Sequence, residues 1–269
     1  MKLSIFTSMT DPESRMDPYK EALECYEDFA DEIIIVGEDW PDEFSFDYIG
    51  KTFQEGFDKS TGDWVIRMDI DTFFHEKSKD FLISSLKENS DVPGLVFPKL
   101  QIFTPDRGHL KAKMCIAFNK KKYPNIKLNG GGDMCDPTLD DVLLDQYNLP
   151  NKKITIWNYD SVFKNKNIIS KDRARFARAW NRYFNDWGNR GGPSEEEAYS
   201  AWIKMVSDRY IRHGIKLKIE DHPKYIKNKL INLNDNQFGF SAFGLKSSVK
   251  PSFNEYLKST KNKYFDLNI

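Results

Sequence analysis

The sequence predicts an α/β fold in which helices flank an open mixed sheet, followed by a helical C-terminal extension. Two patterns lead to this expectation. Strand-like apolar runs alternate with helical spacing in the first half of the chain, which is typical of an open α/β sheet. Beyond residue 165 the spacing becomes helical. We therefore expect an α/β domain over residues 1–165 and a helical extension over residues 166–269.

Each element of the first half has its own signal. Lys2–Thr7 alternates as a strand does, and Asp17-Pro18 supplies an N-cap and a first helical position. Asp31–Gly37 is continuously apolar, as strands buried on both faces of a parallel sheet are. The expected elements are strand Lys2–Thr7, helix Asp17–Ala30, strand Asp31–Gly37, helix Phe46–Lys59, strand Trp64–Asp69 and helix Ser78–Asn89.

The second half continues with further strands and then with longer helices. Ser194 and Glu197 form a capping box, which marks the start of a helix. His222-Pro223 fits another N-cap and first helical position, although a role in a site stays open. The expected elements are strands Gly94–Leu100, Lys111–Phe118 and Lys153–Trp157, and helices Asp172–Asn185 and Ser194–His213.

The composition excludes several classes of protein. With 269 residues, 39% hydrophobic and 14% aromatic, the chain can bury a globular core. Its net charge of −1 does not predict a nucleic-acid partner, and no apolar run is long enough to span a membrane. The N-terminus reads as a strand and not as a signal peptide, while peripheral membrane contact stays open. Three cysteines without a CxxC pair predict reduced thiols and a cytoplasmic location; no oligomeric state is indicated.

Two aspartates follow the third predicted strand. Asp69 and Asp71 are two residues apart, so on an extended strand they lie on the same side of the sheet. Carboxylates this close repel each other unless a cation, a proton or hydrogen-bond donors lie between them. Ligands of open α/β sheets bind at the carboxyl ends of the strands, and Mg²⁺ or Mn²⁺ prefers such oxygen ligands together with phosphate. The pair therefore predicts a metal–diphosphate site, or else a solvated strand end.

Three stretches give the chain a resemblance to a known family: LSIFTS (Leu3–Ser8), DEIIIVGED (Asp31–Asp39) and STGDWVIRMDID (Ser60–Asp71). They resemble the GT-A glycosyltransferases, and specifically those similar to glycosyltransferase family 2. The resemblance implies a metal-dependent, inverting hexosyltransferase-like enzyme that moves a sugar from a nucleotide-sugar donor, preferably a UDP-sugar, to a hydroxyl of a glycan or glycoconjugate. It implies that Asp71 binds Mn²⁺ or Mg²⁺ and that Asp69 binds the ribose or the metal.

The same resemblance assigns further residues and shows departures. Ser8, with Glu38 or Asp39, would line the pocket for the base and ribose. Where the family often has Arg-Asn this chain has Phe53-Gln54, and Lys51 could substitute for that nucleotide contact. Where the family has His-Tyr-Gly this chain has Asn158-Tyr159-Asp160, so Asn158 or Asp160 would complete the metal site.

Two further clusters have both a functional and a structural interpretation. An acceptor hydroxyl needs a general base, and Asp133 or Asp136 in the glycine-rich stretch GGGDMCDP is the candidate. A turn in which Asp136 opens a helix explains the same residues equally well. The second cluster favours a solvated helix face, with binding of the diphosphate as the alternative; it contains Lys164, Lys166, Lys171, Arg173 and Arg175.

Two other function classes fit parts of the sequence. Asp69-Ile70-Asp71-Thr72 also matches the signature of haloacid dehalogenase-type phosphatases, in which the first Asp is the nucleophile and the second is a general acid. That motif usually opens its fold, whereas two strand–helix units precede it here. The third class is a non-catalytic carbohydrate- or nucleic-acid-binding module that uses aromatic side chains, although helical spacing favours a core role for them: Trp180, Tyr183, Phe184, Trp187, Tyr199 and Trp202.

Overall fold

A mixed sheet forms the centre of the part of the chain that the computed structural model describes, residues 1–131 and 136–233. The eight strands of this sheet are β1 (Leu3–Ser8), β2 (Glu32–Val36), β3 (Trp64–Arg67), β4 (Thr72–Phe74), β5 (Gly94–Thr104), β6 (Arg107–Phe118), β10 (Ile156–Asn158) and β11 (Ile215–Lys216). A separate three-stranded sheet contains β7 (Lys127–Gly131), β8 (Asp136–Leu139) and β9 (Val142–Leu143).

Helices lie around the sheet, as the sequence predicts. The α-helices of the described ranges are α1 (Tyr19–Phe29), α2 (Phe46–Lys59), α3 (Lys79–Glu88), α4 (Lys166–Phe184), α5 (Glu195–His213) and α6 (Lys227–Ile231). The predicted capping box of Ser194 and Glu197 starts α5. α4 starts earlier than expected, because the side chain of Asn165 accepts a hydrogen bond from the backbone N–H of Ile168 and caps the helix there.

The strand order of the large sheet is β2-β1-β3-β6-β5-β10-β4, with β11 paired to β6. β1 is parallel to both β2 and β3, whereas β6 runs antiparallel to β3 and to β5. β10 is parallel to β5, and the short β4 closes the far edge antiparallel to β10. The prediction of an open mixed sheet flanked by helices is therefore confirmed.

Apolar side chains fill both faces of this sheet. Along β1, Leu3 and Ile5 pack into one buried cluster with α1, whereas Phe6 packs into the other with α2. This alternation is the period-2 pattern that the sequence shows. No helix of the described residues combines the length and apolar character that crossing a membrane requires.

The third strand ends earlier than the sequence predicts. β3 stops at Arg67, and the chain turns at Ile70 and Asp71 before β4 begins at Thr72. The backbone N–H and the side-chain hydroxyl of Thr72 both donate to the carbonyl of Asp69, at 2.8 and 2.7 Å, and hold this turn. Asp69 and Asp71 are therefore placed by a turn between two strands and not by strand alternation.

Two predicted helix starts are wrong. Asp17 is not the N-cap of α1, since Pro18 occupies that position without a side-chain hydrogen bond. Asp17 is instead buried in an ion pair with Lys164. His222 does not start a helix either, because it follows the short 3₁₀-helix Ile219–Asp221 and α6 begins at Lys227.

Candidate active site

A cavity of about 750 Å³ lies where β1, β3 and β10 end. Ser8 reaches it from the end of β1, and Asp69, Ile70 and Asp71 reach it from the turn after β3. Asp160 enters shortly after β10, and the first turns of α4 complete the wall. The structure thus joins the first half of the chain and the predicted helical extension in one candidate site.

Backbone hydrogen bonds fix the turn that carries the two aspartates. The hydroxyl of the buried Tyr26 donates to the carbonyl of Asp69 at 2.6 Å, and the backbone N–H of Tyr159 donates to the carbonyl of Asp71 at 2.8 Å. The buried Asn158 donates its side-chain amide to Oδ1 of Asp71 at 3.0 Å. The chain around both aspartates is therefore held from α1 on one side and from the end of β10 on the other.

The charge of Asp71 is poorly compensated. The pKa of Asp71 is raised to about 7, mainly by burial and also by the nearby charges of Asp160 and Asp69. Burial alone would also raise the pKa of Asp160, but Arg173 and Lys164 hold that pKa well below its ordinary range. Asp160 is thus the ionised member of the pair, and Asp71 is the carboxyl that needs a positive charge or a proton.

The remaining predicted metal ligands differ in how far their side chains are already used in hydrogen bonds. A side-chain N–H of Arg173 donates to Asp160, and the same nitrogen donates to the hydroxyl of Ser161 at 3.3 Å. Asn158 uses its amide hydrogens on Asp71. No hydrogen bond to the carboxylate of Asp69 is found among the described residues, and that side chain lines the cavity. The described residues contain no group of three or more His, Cys, Asp and Glu side chains arranged to hold a metal.

A basic wall faces these acids. It is formed by Arg15 from the loop before α1 and by side chains from α4 and the segment before it. Lys164 pairs with Asp17 at 2.9 Å, and Arg15 binds both carboxylate oxygens of Asp172 at 3.0 and 3.2 Å. The basic residues that line the cavity are Arg15, Lys164, Lys171, Arg173 and Arg175.

Sequence reasoning missed half of this network. Arg15 and Asp17 lie far along the chain from Asp172, and the Asp17-Pro18 pattern indicated a helix cap. A buried ion pair between distant segments has no local signal, because either partner alone reads as an exposed charge.

Aromatic side chains also belong to the lining of the cavity. Trp40 and Phe44 follow β2, Phe53 lies on α2 and Phe176 lies on α4. The ring centroids of Trp40 and Phe44 are 5.9 Å apart, and those of Phe44 and Phe176 are 6.5 Å apart. None of these residues was singled out as a sugar-stacking candidate from the sequence. The predicted sugar-stacking side chains Trp180, Tyr183 and Phe184 instead pack around Phe46 outside the cavity.

Some predicted site residues lie elsewhere. Glu38 and Asp39 are exposed after β2, and Lys51 is exposed on α2; none of the three lines the cavity. Asp136 is exposed in β8 of the small sheet, so it is neither a helix cap nor a cavity residue. Asp133 lies outside the described residues.

His222 is fully buried and serves the fold. Its Nδ1 is 2.8 Å from the hydroxyl of Tyr159, and its Nε2 is 2.8 Å from the carbonyl of Pro105. Because a carbonyl can only accept, Nε2–H is the donor to Pro105 and Nδ1 accepts from Tyr159. His222 therefore connects the segment after α5 to the backbone that holds Asp71.

No family model matches this chain, and no curated protein matches it. Solved structures of S. aureus TarS are similar to it at low scores. The 1–349 fragment gives a TM-score of 0.36 at 12% identity, over 69% of this chain and 72% of that one. The structure of its complex with UDP-GlcNAc gives a TM-score of 0.34 at 10% identity, over 86% of this chain and 79% of that one.

The longer TarS structure gives a TM-score of 0.34 at 11% identity and covers 71% of this chain, which spans 45% of that one. At TM-scores below 0.5 these likenesses support no inference about function. A function can be proposed only from the cavity and its residues.

Proposed function

We propose that this chain is a divalent-cation-dependent glycosyltransferase that moves a sugar from a nucleotide-sugar donor, preferably a UDP-sugar, to a hydroxyl acceptor. The carboxyl pair Asp69 and Asp71 carries the proposal. It lies in a cavity that has the size of a cofactor site and that is also lined by basic and aromatic side chains. These three kinds of side chain match the three parts of such a donor: metal-bound diphosphate, sugar and base.

The charges of the cavity support a requirement for a cation. Seven aspartates and five basic side chains line it, so the fully ionised wall carries two more negative charges than positive ones. A nucleoside diphosphate is itself an anion and would be repelled. One divalent cation between Asp69 and Asp71 would neutralise the wall and offset the burial and the neighbouring negative charges that raise the Asp71 pKa.

The ligand set fits Mg²⁺ or Mn²⁺. These ions are commonly held by one or two carboxylates, with phosphate oxygens and water in the other positions. Asp71 and Asp69 would hold the ion. Asn158 would position Asp71, and Asp160 would position Arg173. The bound ion would act as a Lewis acid on the diphosphate.

The shape of the cavity orients the donor. The base would lie against Trp40 and Phe44, because flat rings bind by stacking, and Ser8 lines the same cavity. In the transfer, the bond from the anomeric carbon to the phosphate oxygen breaks, and its electron pair leaves with the diphosphate. The acceptor oxygen forms the new bond and gives its proton to a base, for which Asp133 remains our candidate. Inversion at this carbon remains a proposal from the family resemblance.

The test is a thermal-shift panel with UDP, GDP, UDP-GlcNAc and GDP-mannose, each with MnCl₂ and with EDTA. UDP-GlcNAc is included because a compared structure contains it. At a hundred times its dissociation constant a ligand stabilises the native state by about 2.7 kcal/mol. We expect at least one nucleotide to raise Tm by about 5 °C with Mn²⁺ and by much less with EDTA.

Two companion measurements, hydrolysis of a simple phosphate ester and thermal shifts by free sugars, separate the other two classes of function. Hydrolysis of a simple phosphate ester, without any shift by nucleotides, would indicate the phosphatase. Equal shifts by free sugars with and without metal would indicate a carbohydrate-binding module. Either result would refute the proposal. A cytoplasmic location remains a proposal, which the free thiols of Cys25 and Cys115 support.

A further inference from the structure

We infer that Lys171 is the side chain that binds the diphosphate of the donor and offsets the charge of the leaving group. This inference rests on the proposed function and names a residue for it. Lys171 lies on α4, its side chain is exposed, and it lines the cavity that contains Asp69 and Asp71.

The other basic residues of the cavity are already used. Lys164 lies between Asp17 and Asp172, at 2.9 and 3.4 Å, and is almost fully buried. Arg15 binds both oxygens of Asp172. Both cations are therefore neutralised by carboxylates of the protein.

The two arginines of α4 that line the cavity have partners as well. Arg173 donates to Asp160 and Ser161. Arg175 donates to the carbonyls of Asp42 and of Pro41, the latter at 2.7 Å, and so holds the loop after β2. The charge of Arg173 is already paired with Asp160, although its Nε has no hydrogen-bond partner among the described residues. Arg175 could turn to a phosphate only by releasing the loop after β2.

Lys171 differs from these four. Among the residues that the structure describes, it makes no hydrogen bond and no ion pair, although it lines the same cavity. A flexible ammonium group at the mouth of a cavity can approach a phosphate oxygen as a point charge without any rearrangement of the wall. The main free-energy cost of this contact is then the conformational entropy lost when one lysine side chain becomes ordered.

The location of Lys171 also suits the chemistry. When the bond between the anomeric carbon and the phosphate oxygen breaks, the electron pair stays on the diphosphate, whose negative charge rises. A positive charge that is fixed near this oxygen stabilises the transition state more than the bound donor. Lys171 would add this stabilisation to that of the divalent ion held by Asp69 and Asp71.

The experiment compares Lys171→Gln with Lys166→Gln in the full chain. Lys166 is a matched control, because it is an exposed lysine of the same helix that does not line the cavity; its Nζ lies 4.9 Å from the centre of the Tyr199 ring. Lys171→Arg serves as the variant that keeps the charge. The probes are uridine, UMP, UDP, guanosine, GMP and GDP in MnCl₂, measured by calorimetry.

We expect Lys171→Gln to weaken binding of the preferred nucleoside diphosphate about tenfold, which is the size of one charge-assisted hydrogen bond. The affinity for the nucleoside should change less than twofold, and the loss of affinity for the monophosphate should lie between those for the nucleoside and the diphosphate. Lys166→Gln should leave all affinities unchanged, and Lys171→Arg should retain most of the diphosphate affinity.

Two results would overturn the assignment while leaving the proposed function intact: wild-type diphosphate affinity in Lys171→Gln, or equal losses for nucleoside and diphosphate. If the wild-type protein binds neither UDP nor GDP with Mn²⁺, the proposed function is wrong and the assignment falls with it. Circular dichroism and urea unfolding of each variant check that the fold is unchanged.

Discussion

Replacing Asp71 by Asn should make the metal-free protein more stable at pH 8 while it removes divalent-cation binding. Asn has almost the same shape, and its side-chain oxygen can still accept the hydrogen bond from Asn158. What disappears is the negative charge that burial, Asp160 and Asp69 disfavour. The carboxylate is therefore expected to cost stability and to be needed for function.

The magnitude follows from the raised pKa. The Asp71 pKa moves from 3.8 to about 7, and each pH unit of such a shift corresponds to about 1.4 kcal/mol. Converted in full, this shift corresponds to about 4 kcal/mol in the free energy of unfolding. Because the side chain is only partly buried and its neighbours can relax, we expect an effect of about 2 kcal/mol. The folded state keeps a proton that the unfolded chain releases above about pH 4, so wild-type stability falls as pH rises from about 4 to 7.

The assay is urea unfolding of wild type and Asp71→Asn in EDTA at pH 4 and pH 8. The variant should equal wild type at pH 4 and exceed it by about 2 kcal/mol at pH 8, a gain of about 5 °C in Tm. Glu88→Gln, an exposed substitution on α3, should show no such pH dependence. Mn²⁺ should then raise the Tm of wild type and not of Asp71→Asn.

A destabilised Asp71→Asn at pH 8, or the same difference at both pH values, would show that the charge of Asp71 is not under strain. An unchanged response of the variant to Mn²⁺ would show that this carboxylate does not hold the ion. Either result would refute the reasoning that leads from the raised pKa to a metal site.

Three further predictions concern other parts of the same structure. Lys164→Met should destabilise the fold by about 3 kcal/mol in urea, because the buried Asp17 then keeps only its ion pair with Arg15 at 3.1 Å, and adding Asp17→Asn should restore much of this loss. Asn158→Leu should weaken Mn²⁺ binding about tenfold by paramagnetic resonance, because Asp71 loses the donor that orients it. Burial alone would raise the pKa of Glu32, but its hydrogen bonds lower it to about 2, so stability present above pH 4.5 should be lost as pH falls towards 2, and less so in Glu32→Gln.

Each of these has an outcome that contradicts it. A Lys164→Met protein as stable as wild type would mean that Arg15 alone compensates the charge of Asp17. Unchanged Mn²⁺ affinity in Asn158→Leu would mean that Asp71 is oriented by the backbone alone. Identical urea midpoints for Glu32→Gln and wild type from pH 5 to pH 2 would mean that Glu32 has the same pKa folded and unfolded.

The parts of the fold that local patterns encode were predictable. Strands β1 and β2 and helices α1 and α2 follow from apolar periodicity and flanking turn residues, and each lies within a few residues of its expected place. β4 was not predictable, because it spans only Thr72–Phe74 and exists through pairing with β10. The antiparallel direction of β6 beside β3 is likewise a property of distant pairing and leaves no local pattern.

In the candidate site, too, residues with a local sequence pattern could be predicted, whereas residues placed by the course of the chain could not. Asp69 and Asp71 could be found, because two acids after an apolar strand form a local pattern. Glu38 and Asp39 were expected beside them, but Gly37 adopts a φ of +75° and turns the chain, so that both are exposed. Lys51 is exposed because it lies on the opposite side of α2 from the buried Phe53.

The contacts that hold Asp71 join segments that are made at different times during translation. Asp71 and Asn158 are 87 positions apart, and Arg15 is 157 positions from Asp172. A ribosome that has translated β4 has therefore made both acids, whereas Asn158, which orients Asp71, has not yet been made. The first strands and helices can form early from local contacts, whereas the binding-competent arrangement has to wait until α4 has emerged. Release of shortened nascent chains should thus yield compact early intermediates that do not respond to manganese.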